Sequence, residues 1–292
     1  MSSVRSILTI AALLALAACE DDFEPGARVT KLRLLALRAD APFAQPGQSV
    51  SLEALTAEPE PETLSWAYTT CTDPASSTVE DCLGELDGPF TPYDPAQQDL
   101  QVQVGELAQY ERSGLLGVAI VACPGTIEGG DTAGVPVRCR DSDGELLPLE
   151  RFEVGVKRIF VREHDQNDNP SIEALSWDGE PWPEDEIPEA EACQKKTDEI
   201  DDCPKALRHR LGIETTPAES GVDERGQRFA EQQVVQVYAT QGVFDFEVRL
   251  SDDADNSWAA QRLADEDLAT LWFVVRDDRG GVGWTQRQVR VR

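Results

Sequence analysis

Val243-Phe244-Asp245-Phe246-Glu247-Val248-Arg249-Leu250 alternates apolar and charged side chains without a break from Phe244 to Leu250. Successive side chains of a β-strand point to opposite faces, so a period of two marks a strand with one face on a core and one in water. Val234 to Ala239 precedes it across Thr240-Gln241-Gly242, and the two are expected to pair as a hairpin. Leu271 to Arg276 and Trp284 to Val291 flank Asp277-Asp278-Arg279-Gly280-Gly281, a second expected hairpin with glycine available for positive φ.

The same grammar fills the first half. Val50, Leu52 and Ala54 share one face of Ser49–Ala57, and Leu64, Trp66 and Tyr68 alternate with Ser65, Ala67 and Thr69. Leu100, Val102 and Val104 repeat it, Leu116, Val118 and Ile120 lead into Cys123, and Phe152, Val154 and Val156 open a run to Val161. Val29 to Ala39 makes an apolar leading strand, and Glu106 to Arg112 one short corner helix. Many short strands between Gly, Pro and Asp turns, without βαβ spacing, give an all-β fold of antiparallel sandwiches. The polar run Asp165-Gln166-Asn167-Asp168-Asn169-Pro170 divides it. One sandwich is expected over 29–164, a linker over 165–170 and a second sandwich over 171–292, with Ala190 to Gly212 as a decorated loop.

Composition limits what such domains do. The chain has 292 residues, 40% of them apolar, so it can bury ordinary cores. With 26 Lys and Arg against 55 Asp and Glu it carries a formal charge of -29, which excludes nucleic acid and opposes docking on anionic lipid. Two histidines and one methionine leave little for a haem or metal enzyme.

After the basic Arg5, Ile7 to Ala18 is almost wholly apolar. As a helix this run spans roughly 18 Å, too short for a bilayer core of ~30 Å, so 1–18 is expected to be a signal peptide. Leu16-Ala17-Ala18-Cys19 resembles the lipobox of bacterial lipoproteins. The resemblance implies cleavage before Cys19, a diacylglyceryl group on its sulfur and an acyl chain such as palmitate on its amine. The partner of residue 19 is then a membrane, reached through those acyl chains, and residues 19–28 form an acidic lipidated tether. Glu20, standing where Asp favours inner-membrane retention, points to the outer membrane, facing either the periplasm or the exterior.

Export fits the cysteines. Apart from Cys19 they number six, an even count that implies disulfides. Neighbour pairs, Cys71–Cys82, Cys123–Cys139 and Cys193–Cys203, each close a polar loop between expected strands, and Cys71–Cys123 is the rival pairing. No C-x-x-C occurs, which disfavours zinc.

Trp66 lies where immunoglobulin-like domains bury a tryptophan on their third strand, and the two tandem units resemble that architecture. No cysteine stands in Ser49–Ala57, so the inter-sheet disulfide of antibody domains is missing. The linker resembles the D-x-N-D-N-x-P segment of cadherins, which implies calcium held by Asp165, Asn167, Asp168 and Asn169. Pro170 arrives one position early, and Asp253-Ala254-Asp255 comes far too late for the partner motif, so an ordinary polar linker is the competing reading. Asp141-Ser142-Asp143-Gly144-Glu145 starts like a calcium loop but has Phe152 at the closing acidic position, and is expected to be a turn. Trp177 and Trp182 offer a sugar platform or, in the plainer reading, a plug at a sandwich edge.

No nucleophile elbow, zincin, Walker or dinucleotide motif occurs, and neither His164 nor His209 has an adjacent nucleophile. The expected protein is a non-enzymatic, lipid-anchored envelope protein presenting β-sandwiches to another envelope protein or a glycan, or serving as a spacer. A calcium-rigidified adhesion module is the alternative, and a hydrolase a third. No cofactor other than calcium is implied.

Overall fold

The computed structural model describes residues 26–58, 63–96, 99–129, 137–194, 197–261 and 267–292. The expected signal peptide, Cys19 and the tether up to residue 25 lie outside the described residues. The fold is all-β, with two cores.

The first half holds β1 (Arg33–Ala39), β2 (Phe43–Ala44), β3 (Ser49–Ala57), β4 (Ser65–Thr72), β5 (Thr91–Tyr93), β6 (Leu100–Gln103), β7 (Leu115–Cys123), β8 (Thr126–Gly129), β9 (Val137–Arg140) and β10 (Glu153–Val161). Sheet β1-β3-β6 faces sheet β2-β10-β7-β4-β5. Between them Val50, Leu52, Leu100 and Val102 meet Val118, Ile120, Ile159 and Val161. Trp66 is only half-buried, tilted against Tyr93 with ring centroids 6.0 Å apart, so it flanks this core instead of plugging it. The corner helix over Glu106 to Arg112 is a single 3-10 turn, Leu107–Gln109.

Strand β7 is buried along its whole length because both faces are covered. Leu116, Val118 and Ile120 enter the core, while Val121 and Cys123 pack with Val137, Cys139 and Phe152 on the other side. The helix α1 (Val79–Gly84), which strand periodicity does not show, starts at Thr78, whose hydroxyl accepts the Asp81 N–H, and carries buried Cys82. Cys71–Cys82 ties α1 to β4, and Cys123–Cys139 ties the β8–β9 hairpin to β7. With Cys193–Cys203 these are the neighbour pairs, and the rival Cys71–Cys123 does not form.

The second half holds β11 (Ile172–Trp177), β12 (Glu180–Pro181), β13 (Glu189–Ala190), β14 (Arg208–Thr215), β15 (Ser220–Val222), β16 (Arg228–Ala230), β17 (Gln233–Ala239), β18 (Val243–Phe244), β19 (Val248–Leu250), β20 (Asn256–Ala259), β21 (Leu268–Asp277) and β22 (Val282–Val291). Sheets β12-β11-β14-β20-β18 and β13-β22-β21-β17-β19 enclose Leu175, Leu211, Ile213 and Trp258 with Val235, Val237, Leu271, Phe273 and Val289. The β21–β22 hairpin turns at Asp277–Gly281, as its sequence implies.

The other expected hairpin forms only at its far end, where Val234–Gln236 pairs with Val248–Leu250. Past Gly242, at φ +93°, the chain crosses to the opposite sheet, where β18 pairs with β20 and not with β17. Asn256 then takes over the backbone of Phe246, accepting its N–H at 3.2 Å and donating to its carbonyl at 2.6 Å. The chain returns as β19, which pairs with β17. Phe244 is buried, whereas Phe246, Val248 and Leu250 are exposed.

The described end of the tether belongs to the folded body. Ala239 N–H donates to the Ala27 carbonyl and Val29 N–H to the Ala239 carbonyl, each at 2.9 Å. Ala27 lies in the second core, and Val29 packs with Leu35, Ala57 and Trp272. Residues 26–28, expected as free tether, are stitched onto β17.

Candidate functional site

The linker runs where the two halves meet, and its polar side chains reach different partners there. Strand β10 ends at Val161 and β11 begins at Ile172, so the linker must pass the β21–β22 turn. It passes closely. A Cβ on Gly281 would press against Pro170 Cδ and the Asp168 carbonyl at 2.7 and 2.9 Å, so glycine is required there. Asn169 bridges the halves: its Nδ2 donates to the Ala39 carbonyl at 2.7 Å and its Oδ1 accepts the Val282 N–H at 2.9 Å. Asn167 Nδ2 reaches Asp277 Oδ2 at 3.3 Å, and Asp277 Oδ1 fixes its own turn by accepting N–H groups of Arg279 and Gly281. Asp165 points elsewhere, accepting the Glu224 N–H at 2.7 Å. Arg279 closes the corner, donating to the Gln166 carbonyl and to Glu231 and lying over the rings of Phe43 and Phe229 at 4.6 and 3.9 Å.

Of the four proposed calcium residues, Asp165, Asn167 and Asn169 are therefore engaged with separate protein partners, and Asp168 is exposed. Among the described residues no group of three or more His, Cys, Asp or Glu side chains is placed to hold a metal. One observation remains in favour of a cation. Asn167 Oδ1 is buried with no hydrogen-bond partner, and Asn167 lines a cleft of about 410 Å³ with Asp40, Asp165 and Asp168.

Beside the linker lies a cleft of about 220 Å³ between Leu34–Leu37, Gly155–Arg158 and the β21–β22 turn. Lys157 projects from β10 into this seam, 4% exposed, and donates to the Gly280 carbonyl. Burial pushes its ammonium down to about 8, opposed by the nearby Asp277 carboxylate and reinforced by Arg158 and Arg276. Arg276, from β21, donates to the Leu35 carbonyl and to Gln236. Sequence reasoning passed over Lys157, yet a signal was present: it shares the parity of buried Ile159 and Val161.

The remaining candidates lie apart. Trp182 is buried, with its indole N–H on the Glu186 carbonyl, and Trp177 is half-buried against it, so the pair plugs the sandwich edge and presents no sugar platform. His209 stacks on Trp177 at 4.4 Å and meets Asp178 at 2.8 Å. The backbone N–H of His164 approaches Glu224 at 3.4 Å. Asp141–Glu145 is a turn closed by Asp141 Oδ1, which accepts the N–H groups of Asp143 and Glu145. Among the described residues no helix is long and apolar enough to cross a membrane.

No protein-family model matches the sequence, and comparison with curated proteins finds no match. Among solved structures, a 1.5-MDa bacterial ice-binding adhesin studied for host cell surface retention is similar over 91% of this chain and 66% of that chain, at 9% identity and a TM-score of 0.24. A likeness of that size assigns no function.

Proposed function

We propose that this is a lipid-anchored, non-enzymatic protein of the bacterial cell envelope, whose joined β-sandwiches act as a spacer or present their surfaces to another envelope protein or a glycan. The observation that carries the reading is the attachment of Ala27–Val29 to β17. Only the residues between Cys19 and Gly26 then separate the lipid from the folded body, a reach of at most about 25 Å. Three disulfides suit an exported chain, and the lipobox supplies the anchor. Two or more acyl chains hold a protein stably where one binds only reversibly. Replacing Cys19 by Ser is expected to abolish palmitate labelling and release the protein into the soluble fraction. A variant that stays on the membrane without label refutes the anchor.

A second reading follows from the unpartnered Asn167 Oδ1: a calcium ion in the linker cleft, served by that oxygen and the neighbouring carboxylates. Calcium at a hundred times its dissociation constant would add about 2.7 kcal/mol of stability. Melting curves in calcium and in chelator that superimpose end this reading.

A further inference from the structure

The cleft in the seam gathers positive charge in a chain that is otherwise strongly acidic. Lys157, Arg158 and Arg276 line it, against one carboxylate among the described lining residues, Asp277. Asp277 is already engaged: its Oδ1 accepts the N–H groups of Arg279 and Gly281, and its Oδ2 the side-chain amide of Asn167. Lys157 and Arg276 spend their hydrogen bonds on neutral acceptors. The ammonium donates to the Gly280 carbonyl, and the guanidinium to the Leu35 carbonyl, Gln236 and Tyr238. An ammonium carries three hydrogens, so two of those on Lys157 remain for another acceptor. The groups facing Lys157 add no counter-charge beyond Asp277: β1 offers only Leu34–Leu37, β10 adds Arg158, and the β21–β22 hairpin adds Arg276. A charge buried to this depth is ordinarily met by an opposite one, and here the second charge is lacking.

The remaining walls say which anion completes the site. Leu34, Leu37, Val156 and Val282 line the same cleft. Inorganic phosphate is polar on every side and would set oxygens against these side chains, at a desolvation cost. A carboxylate with a short hydrocarbon body puts its charge beside Lys157 and its tail on the apolar wall. The cleft of about 220 Å³ is smaller than the pockets of ~300 Å³ and above that take drug-sized ligands, so the body must be short. We propose that the seam cleft binds a small organic carboxylate, gripped by the buried Lys157 in the field of Arg158 and Arg276. Lys157 belongs to the first half and Arg276 to the second, so the bound acid joins the halves as a shared counter-ion.

Butyrate is the probe, used on the full chain in detergent with saturation-transfer NMR as the readout. At pH 7 the natural protein should transfer saturation to butyrate, and none to butylammonium, which has a similar tail and the opposite charge. Lys157→Met should weaken butyrate binding about tenfold or more, the loss expected for a hydrogen bond to a charged group. Arg158→Glu reverses one charge at an exposed position of the wall and should weaken it about threefold or more. Affinity should fall about tenfold between about pH 7 and pH 9, as the ammonium with its value of about 8 loses its proton. Inorganic phosphate should displace butyrate only weakly. Absence of saturation transfer at pH 7, butyrate binding undiminished in Lys157→Met, or phosphate competing as well as butyrate itself overturns the proposal. Should Lys157→Met fail to fold, Arg158→Glu and the pH series on the natural protein decide, and unchanged affinity in both refutes the site.

Discussion

Lys157 shows how one side chain sets a pH dependence. Its folded-state value of about 8 lies below the ordinary 10.5, a gap equivalent to roughly 3 kcal/mol against the charged folded state. Below pH 8 the ammonium is charged whether the chain is folded or not, and the whole penalty is present. Between about 8 and 10.5 the unfolded chain binds a proton that the folded chain has released, so stability rises with pH in that window. Burial raises the phenol of Tyr93, which makes the folded state lose ground again above about pH 10. Thermal melts are therefore expected to move upward from pH 8 to about 9.5 in the natural protein. In Lys157→Met they should stay level, the variant gaining at pH 8 the roughly 3 kcal/mol burial penalty less about 1 kcal/mol for the Gly280 carbonyl left without its donor, a lead that shrinks as pH rises. The linker was legible as a special polar stretch, but the roles of its members were not. Asn169 works as a clip between Ala39 and Val282, residues more than a hundred positions apart, and no local spacing encodes such a partner.

Strands were legible wherever one face meets a core, because burial on one side imposes the period of two. The reading broke where that premise failed. In Phe244–Leu250 the alternation is perfect, yet the crossing at Asp245–Glu247 places Phe244 in one sheet and Val248 in the other, with opposite burial. Periodicity records faces and carries no label for which sheet owns them. Strand β7 is the complementary case: its outer face is covered by α1 and the β8–β9 hairpin, each held by a disulfide. That cover makes Gly117 obligatory, since a Cβ there would collide with Cys71 Sγ and Cys82 Sγ. Gly117→Ala should destabilise the protein by about 1–3 kcal/mol through overpacking. Replacing Cys71 and Cys82 by Ala should cost about 3 kcal/mol from loop closure. Combined, the three substitutions should cost less than the sum, because removing both sulfurs makes room for the methyl group. Additive losses in urea melts would mean that Gly117 is needed for another reason.

The two halves differ from beads on a linker in what lies between them. Val29, Leu35, Ala36 and Ala57 from the first half pack against Trp272, Val274 and Val282 from the second, with Tyr238 and Trp284 at the margin. Arg38 caps the margin, 4.4 Å above the Trp284 ring. Domain pairs move freely unless their interface is broad and apolar, and this one adds hydrogen bonds from Lys157, Arg276 and Asn169. The seam stayed hidden in the sequence because a register shift between Leu34 and Ala36 in the β1–β3 pairing lets the adjacent Leu35 and Ala36 both face the second half, which strict alternation does not anticipate. A formal charge of -29 works against bringing two acidic bodies together, so the contact must be strong enough to offset self-repulsion. The halves are therefore expected to unfold together, as one calorimetric transition. Trp272 is the test of that coupling, being 6% exposed and central to the seam cluster. Trp272→Ala should remove about 3–5 kcal/mol, most of it from the contact between halves and little from either sandwich core. A loss placed there splits the single transition into two, whereas a loss inside one core lowers that transition without dividing it. A variant that melts in one step at a lower temperature would put Trp272 with the second core, and the stiffness expected of a spacer would then have to come from the linker contacts alone.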